Sequence, residues 1–149
     1  MLPLRLVIDT NVLVSAALKP KGLQRTTLLL ATTKPARFYV SRPILDEYED
    51  VLSRPELRIR KGLRLQLLQL IKNGSHIVLI KNGSHIVAPS RRLDLCGDPD
   101  DNTFLECADK AGADYLITGN SRHFPKFWKK TKIITAREFI SLAAPHLIS

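Results

Sequence analysis

The chain predicts a three-layer α/β/α sandwich around a central parallel sheet, and three observations carry that expectation. Short runs at Leu4–Ile8, Arg37–Val40, Tyr115–Thr118 and Lys132–Thr135 are mostly apolar, as strands buried on both faces are. Stretches with apolar residues at helical spacing lie between them. The alternation runs through 149 residues, enough for one domain spanning 1–149 with a sizeable core.

The first strand, Leu4–Ile8, stops on Asp9, and Val12–Leu18 reads as a helix halted near Pro20 and Gly22. Gly22–Thr32 is a second helix, with Leu23, Leu28, Leu29 and Leu30. After the second strand, Ser41 is a good N-cap and Pro43 suits a first turn. The helix Pro43–Leu52 then turns Ile44, Leu45, Tyr48, Val51 and Leu52 inward, and Pro55 ends it. Glu56–Lys72 predicts a longer basic helix on Leu63, Leu67, Leu70 and Ile71. Asp101–Ala111 is helical with Phe104, Leu105, Ala108 and Ala111 buried, and Ala136–Ala144 closes the chain before Pro145.

One passage breaks the pattern. Ile71–Val78 recurs unchanged as Ile80–Val87, a tandem duplication too short to build a solenoid. It sets Asn82-Gly83 between two β-branched runs, the signal of a hairpin at 76–88 with strands near His76–Ile80 and Ser84–Ala88. Equally open is that one copy is a sheet strand and the other an insert.

Lys plus Arg number 23 against 14 Asp plus Glu, a net charge of +9 that attracts polyanions, nucleic acid first among them. The chain has no apolar run of membrane-spanning length, and its N-terminus does not read as a signal peptide, so the expected setting is the cytoplasm with no membrane partner. Cys96 and Cys107 have neither disulfide-framework nor metal-ligand spacing, and Cys107 reads as a buried helix residue.

The chemistry concentrates at one edge of this expected sheet. Asp9 stands at the exit of the first strand, Asp101 at a helix start, Asn120 just beyond Tyr115–Thr118, and Glu47 on the second turn of the helix after the second strand. Clustered carboxylates repel, and a bound cation removes that penalty. All-oxygen donors select a hard ion, Mg²⁺ or Mn²⁺, which neutralises a phosphodiester oxygen and lowers the pKa of bound water. Metal-assisted hydrolysis of a nucleic-acid backbone is the reaction implied. Thr10, Asn11 and Thr118 suit donors that orient these acids. Duller roles exist for each acid: Asp9 and Asp101 as helix caps, Glu47 as a solvated helix acid, Asp98 and Asp100 in a turn around Pro99. Past Asn120, cations interleave with aromatics from Arg122 to Lys130; Arg122 and His123 are placed near substrate, while Phe124 and Trp128 also suit core plugs.

Val7-Ile8-Asp9-Thr10-Asn11-Val12, Leu45-Asp46-Glu47-Tyr48, Asp98-Pro99-Asp100-Asp101-Asn102 through Ala108, and Ala113 through Asn120 together resemble the PIN domain. The resemblance covers nearly the whole chain and is greatest to the VapC-like toxins of bacterial toxin–antitoxin systems. It implies a Mg²⁺- or Mn²⁺-dependent endoribonuclease acting on RNA, with an antitoxin protein as partner and a homodimer as the common assembly. By position, Asp9, Glu47 and Asp101 match the family's metal-binding acids. The fourth acid falls at Asn120, an uncharged amide, and Asp98 or Asp100 is positioned to compensate. That departure leaves open a second reading, a catalytically weakened RNA-binding module.

Overall fold

A computed structural model describes residues 3–79 and 99–148, with the helix backbone alone for residues 99–101. Its core is a six-stranded sheet in the order β3-β2-β1-β4-β6-β5. The strands are β1 (Arg5–Ile8), β2 (Arg37–Ser41), β3 (Ser75–Val78), β4 (Tyr115–Ile117), β5 (Phe127–Trp128) and β6 (Thr131–Ile134). All pairings are parallel except β5 with β6, so the carboxyl ends of β1, β2, β3, β4 and β6 share one edge. The helices that flank the sheet are α1 (Thr10–Leu18), α2 (Leu23–Ala31), α3 (Arg42–Leu52), α4 (Lys61–Gly74), α5 (Pro99–Ala111) and α6 (Ala136–Ala143). The three-layer expectation holds.

The chain leaves β1 toward β2 and β3 on one side, then returns to pair β4 on the other. Strand order therefore reverses between β1 and β4, and their carboxyl ends flank the crevice where open α/β sheets place ligands. Leu6, Val7 and Ile8 are buried, as are Leu116 and Ile117 beside them, which explains why these strands are continuously apolar. Arg5, at the exposed start of β1, pairs in register with Arg37.

Local signals set the helix starts. Ser41 caps α3, its hydroxyl accepting from the Ile44 amide, with a proline in the first turn. Thr135 and Glu138 form a reciprocal capping box on α6. Several features differ from expectation, among them the start of α5 at Pro99 and not Asp101. The helix after β1 starts at Thr10, because Asp9 itself is the N-cap. The basic helix starts at Lys61, not Glu56: Pro55–Leu57 forms a single 3-10 turn, and Arg58 takes a left-handed conformation at φ 54° that ends it. The short antiparallel β5 was not anticipated, since two residues carry no periodicity.

The duplicated passage resolves in part. Identity extends to nine residues, Leu70–Val78 and Leu79–Val87. The first copy ends α4 and then forms β3, paired parallel with β2 from Phe38 with Ser75 to Ser41 with Val78. Gly74 sits where a Cβ would lie 2.8 Å from the Thr32 side chain, so this turn admits no larger residue without a shift. The His76 ring lies 5.3 Å from that of Tyr39. The first copy is thus a strand of the main sheet; the hairpin's other strand, Ser84–Ala88, lies outside the described residues, as do Asp98 and Cys96.

Candidate active site

Asp9 is 5% exposed and sits where β1 becomes α1. Its amide donates to the Ile117 carbonyl at 2.9 Å, carrying the β1–β4 ladder past the strand's end. Its carboxylate is held from two sides: Oδ1 accepts from the Thr10 amide at 2.8 Å, and Oδ2 from the Thr118 hydroxyl at 2.8 Å. Asp9 therefore caps α1 and is also tied to the exit of β4 through Thr118. These two hydrogen bonds fix the direction in which the carboxylate points.

Thr118 is fully buried and works in both directions, donating to Asp9 and accepting from the Asn120 amide at 2.9 Å. Asn120 is thereby tied to Asp9 through one hydroxyl. Asn11 Oδ1 accepts from the Gly119 amide at 3.0 Å, and a Cβ on Gly119 would meet that oxygen at 3.4 Å. The first turn of α1 and the loop after β4 are thus laced together along the crevice.

Glu47 arrives from α3, half-buried, and its Oε2 accepts a hydrogen bond from the Thr10 hydroxyl. Thr10 bridges the two acids, its amide on Asp9 and its hydroxyl on Glu47. Asp101 lies in the first turn of α5, a helix packed against β1, β2 and β4. Arg122 and His123 form a 3-10 turn directly after Asn120 at the same sheet edge, both exposed. The rest of the basic–aromatic segment goes elsewhere. Phe124 is buried, while Phe127 and Trp128 pair with Lys132 and Thr131 toward the opposite, amino end of the sheet.

Two residues gain roles that composition did not assign. Tyr48, read as an inward apolar position and as the last residue of the Leu45–Tyr48 motif, donates its hydroxyl to the Ile8 carbonyl. A buried tyrosine hydroxyl needs such a partner, which was the signal available. Burial, then the neighbouring charges of Cys107, Asp9 and Glu47, push its pKa well above the usual value, so the hydroxyl remains a donor. Asn102 is 3% exposed, and neither side-chain polar atom has a hydrogen-bond partner among the described residues. Cys107 is buried as expected; burial first, and the Glu106 charge second, push its thiol up to about 12, so it packs as a small apolar group.

Among the described residues, no three of His, Cys, Asp and Glu converge closely enough to form a metal cluster. The donors present nevertheless suit a hard cation. Asp9 and Glu47 offer carboxylate oxygens joined through Thr10, and the buried amide of Asn102 is an orphaned polar group adjacent in sequence to Asp101.

A PIN domain family model matches residues 5–122, a span that includes Asp9, Glu47, Asp101 and Asn120, and the chain belongs to the PIN domain family, whose members are generally nucleases. It is 30% identical over 146 residues to the uncharacterized protein MJ1680 of Methanocaldococcus jannaschii, covering 92% of this chain and 90% of that one. Its fold is similar to a chain in the crystal structure of VapBC2 from Rickettsia felis bound to a DNA fragment from their promoter. That match has a TM-score of 0.62 at 17% identity and covers 88% of this chain and 98% of the other.

Proposed function

We propose that this protein is a metal-dependent endoribonuclease that hydrolyses RNA phosphodiesters and serves as the toxin of a toxin–antitoxin pair. The observation that carries the reading is the junction of Asp9 and Glu47 through Thr10 at the β1/β4 crevice. Asp9, Glu47 and Asp101 would hold the cation, Mg²⁺ or Mn²⁺. That ion would neutralise charge on the scissile phosphate and lower the pKa of a bound water. Thr10 and Thr118 keep the carboxylate of Asp9 in one orientation, which matters because small misplacements cost large factors in rate. Arg122 and His123 stand where the RNA backbone approaches, and the net charge of +9 favours encounter with a polyanion.

A groove of about 690 Å³ between α2 and α4, lined by Leu29, Leu63, Leu67, Leu70 and Arg25, suits an amphipathic segment of an antitoxin. The relation in fold to a chain of a VapBC complex favours that partner, with a homodimer as the assembly and the cytoplasm as the setting.

Purified protein should cleave single-stranded RNA with Mg²⁺ or Mn²⁺ and stop with EDTA. Asp9→Asn should lower cleavage by at least about two orders of magnitude, the scale of losing one group that stabilises developing charge. Full activity in that variant would refute the assignment. Asn120, uncharged at the fourth station, favours a second reading: an RNA-binding module of weakened turnover. RNA binding without cleavage under any divalent ion, with cleavage appearing in Asn120→Asp, would select it.

A further inference from the structure

The three elements that carry the candidate acids meet at one side chain that is not itself a candidate ligand. Tyr48 follows Glu47 on α3 and is fully buried. Its hydroxyl reaches across to the Ile8 carbonyl, the last of β1 before Asp9. Its ring lies 6.4 Å from that of Phe104, tilted by 35°. Phe104 is on α5, three residues after Asp101.

The bond to Ile8 acts on a particular peptide unit. The carbonyl of Ile8 and the amide of Asp9 belong to the same planar group. The amide side is bonded to the Ile117 carbonyl at 2.9 Å, and the carbonyl side to Tyr48. The plane from which Asp9 projects is therefore pinned from β4 on one side and α3 on the other. Glu47, one residue before the pin, is tied to the same junction through Thr10. Without the hydroxyl, Ile8 loses its link to α3, and the Ile8–Asp9 peptide loses one of these two pins.

We propose that Tyr48 is a positioning residue that sets the mutual placement of Asp9, Glu47 and the start of α5, through its hydroxyl on the Ile8–Asp9 peptide and its ring on Phe104. It touches neither cation nor RNA. The proposal rests on the metal-site reading above, and it explains why a hydroxyl stands at an inward position of α3 where Phe would pack equally well.

Tyr48→Phe keeps the ring and removes only the pin. Compared with the parent chain it should bind Mn²⁺ about 10–100-fold more weakly, the usual effect of removing a group that orients a ligand. Manganese paramagnetic resonance reads this without reference to activity. With saturating Mn²⁺, kcat for RNA should fall while KM stays within about twofold, because the RNA contacts are untouched. Hydrogen exchange at the Asp9 amide should quicken, with that of Ile133 unchanged. Ile140→Val, a buried change on α6, lowers stability without touching the junction and should match the parent in all three. Unchanged Mn²⁺ affinity and Asp9 exchange in Tyr48→Phe would overturn the proposal, as would equal losses in Ile140→Val. If the parent chain binds no Mn²⁺, the metal-site reading fails by itself, and Asp9 exchange alone decides the pin.

Discussion

The two ends of the parallel strands hold their carboxylates with different sets of partners. At the amino end, Asp114 accepts from the Arg5 amide at 2.8 Å, and the Arg5 guanidinium donates to the Ala111 carbonyl at 2.9 Å. Lys129 pairs with Asp109 at 2.9 Å, and the Thr131 hydroxyl closes on the Ala113 carbonyl at 2.7 Å. Gly112, at φ +62°, makes the turn between them. There Lys129 meets Asp109 charge to charge, Asp114 takes a backbone amide, and two carbonyls are capped by Arg5 and Thr131. At the carboxyl end, the partners described for Asp9 and Glu47 are an amide and two hydroxyls. Neutral donors aim a carboxylate without cancelling its charge, whereas a cation consumes it. The same sheet and the same residue types build both arrangements.

Two threonines test that difference most strongly. Thr118→Val removes the donor from Asp9 and should weaken Mn²⁺ binding about 10–100-fold. Thr131→Val leaves the Ala113 carbonyl without its side-chain donor; it should cost about 1–3 kcal/mol in urea unfolding and leave Mn²⁺ affinity alone. Equal metal affinities in the two variants would break the comparison.

The cations sharpen it next. Arg122, beside Asn120, should contribute one phosphate contact, so Arg122→Ala should reduce the salt dependence of RNA binding by a slope of about 1. Lys132→Ala, at the amino end, should leave that slope within error. A smaller slope in Lys132→Ala would move the RNA path to the far end of the sheet.

The smallest effect is alkaline. The Cys107 thiol has a folded pKa of about 12 against 9.0 for an ordinary thiol, so between these values the unfolded chain loses a proton that the folded chain keeps. Stability from this group is complete below pH 9 and declines as pH rises toward 12, by at most about 1.4 kcal/mol per pH unit. Tyr48, raised in the same direction, adds to the decline above 10.0. Thermal melts from pH 8 to 11 should fall more steeply for the parent chain than for Cys107→Ala.

Much of the site was legible because its signals are local. Asp9 ends an apolar run, Ser41 caps a helix, and Thr10 and Thr118 are short donors next to strand ends, whereas Asn11 accepts from the Gly119 amide instead of donating to an acid. Their observed bonds follow from where strands stop. Tyr48 was legible as an apolar position and a motif residue but not as a donor to Ile8, which is 40 residues away. The basic–aromatic segment looked continuous, yet an unforeseen reversal into β5 carries Phe127 and Trp128 away from Arg122. The duplicated passage could not choose its own pairing either. Two identical copies have identical propensities, and only the β2 edge with the tight seat of Gly74 against Thr32 distinguishes where the first one lies.

The amino-acid sequence by itself determined the alternation of strands and helices, the capped starts of α3 and α6, the excess of positive charge and the family to which its motifs point. Those properties depend on neighbours within a few residues or on simple sums over the chain. Tertiary structure decided that β1 lies between β2 and β4, that Thr10 joins Asp9 to Glu47, and that Tyr48 pins the peptide between Ile8 and Asp9. Each of these brings together groups far apart along the chain, and such contacts form only when burial of the whole core offsets the entropy of closing the loops between them.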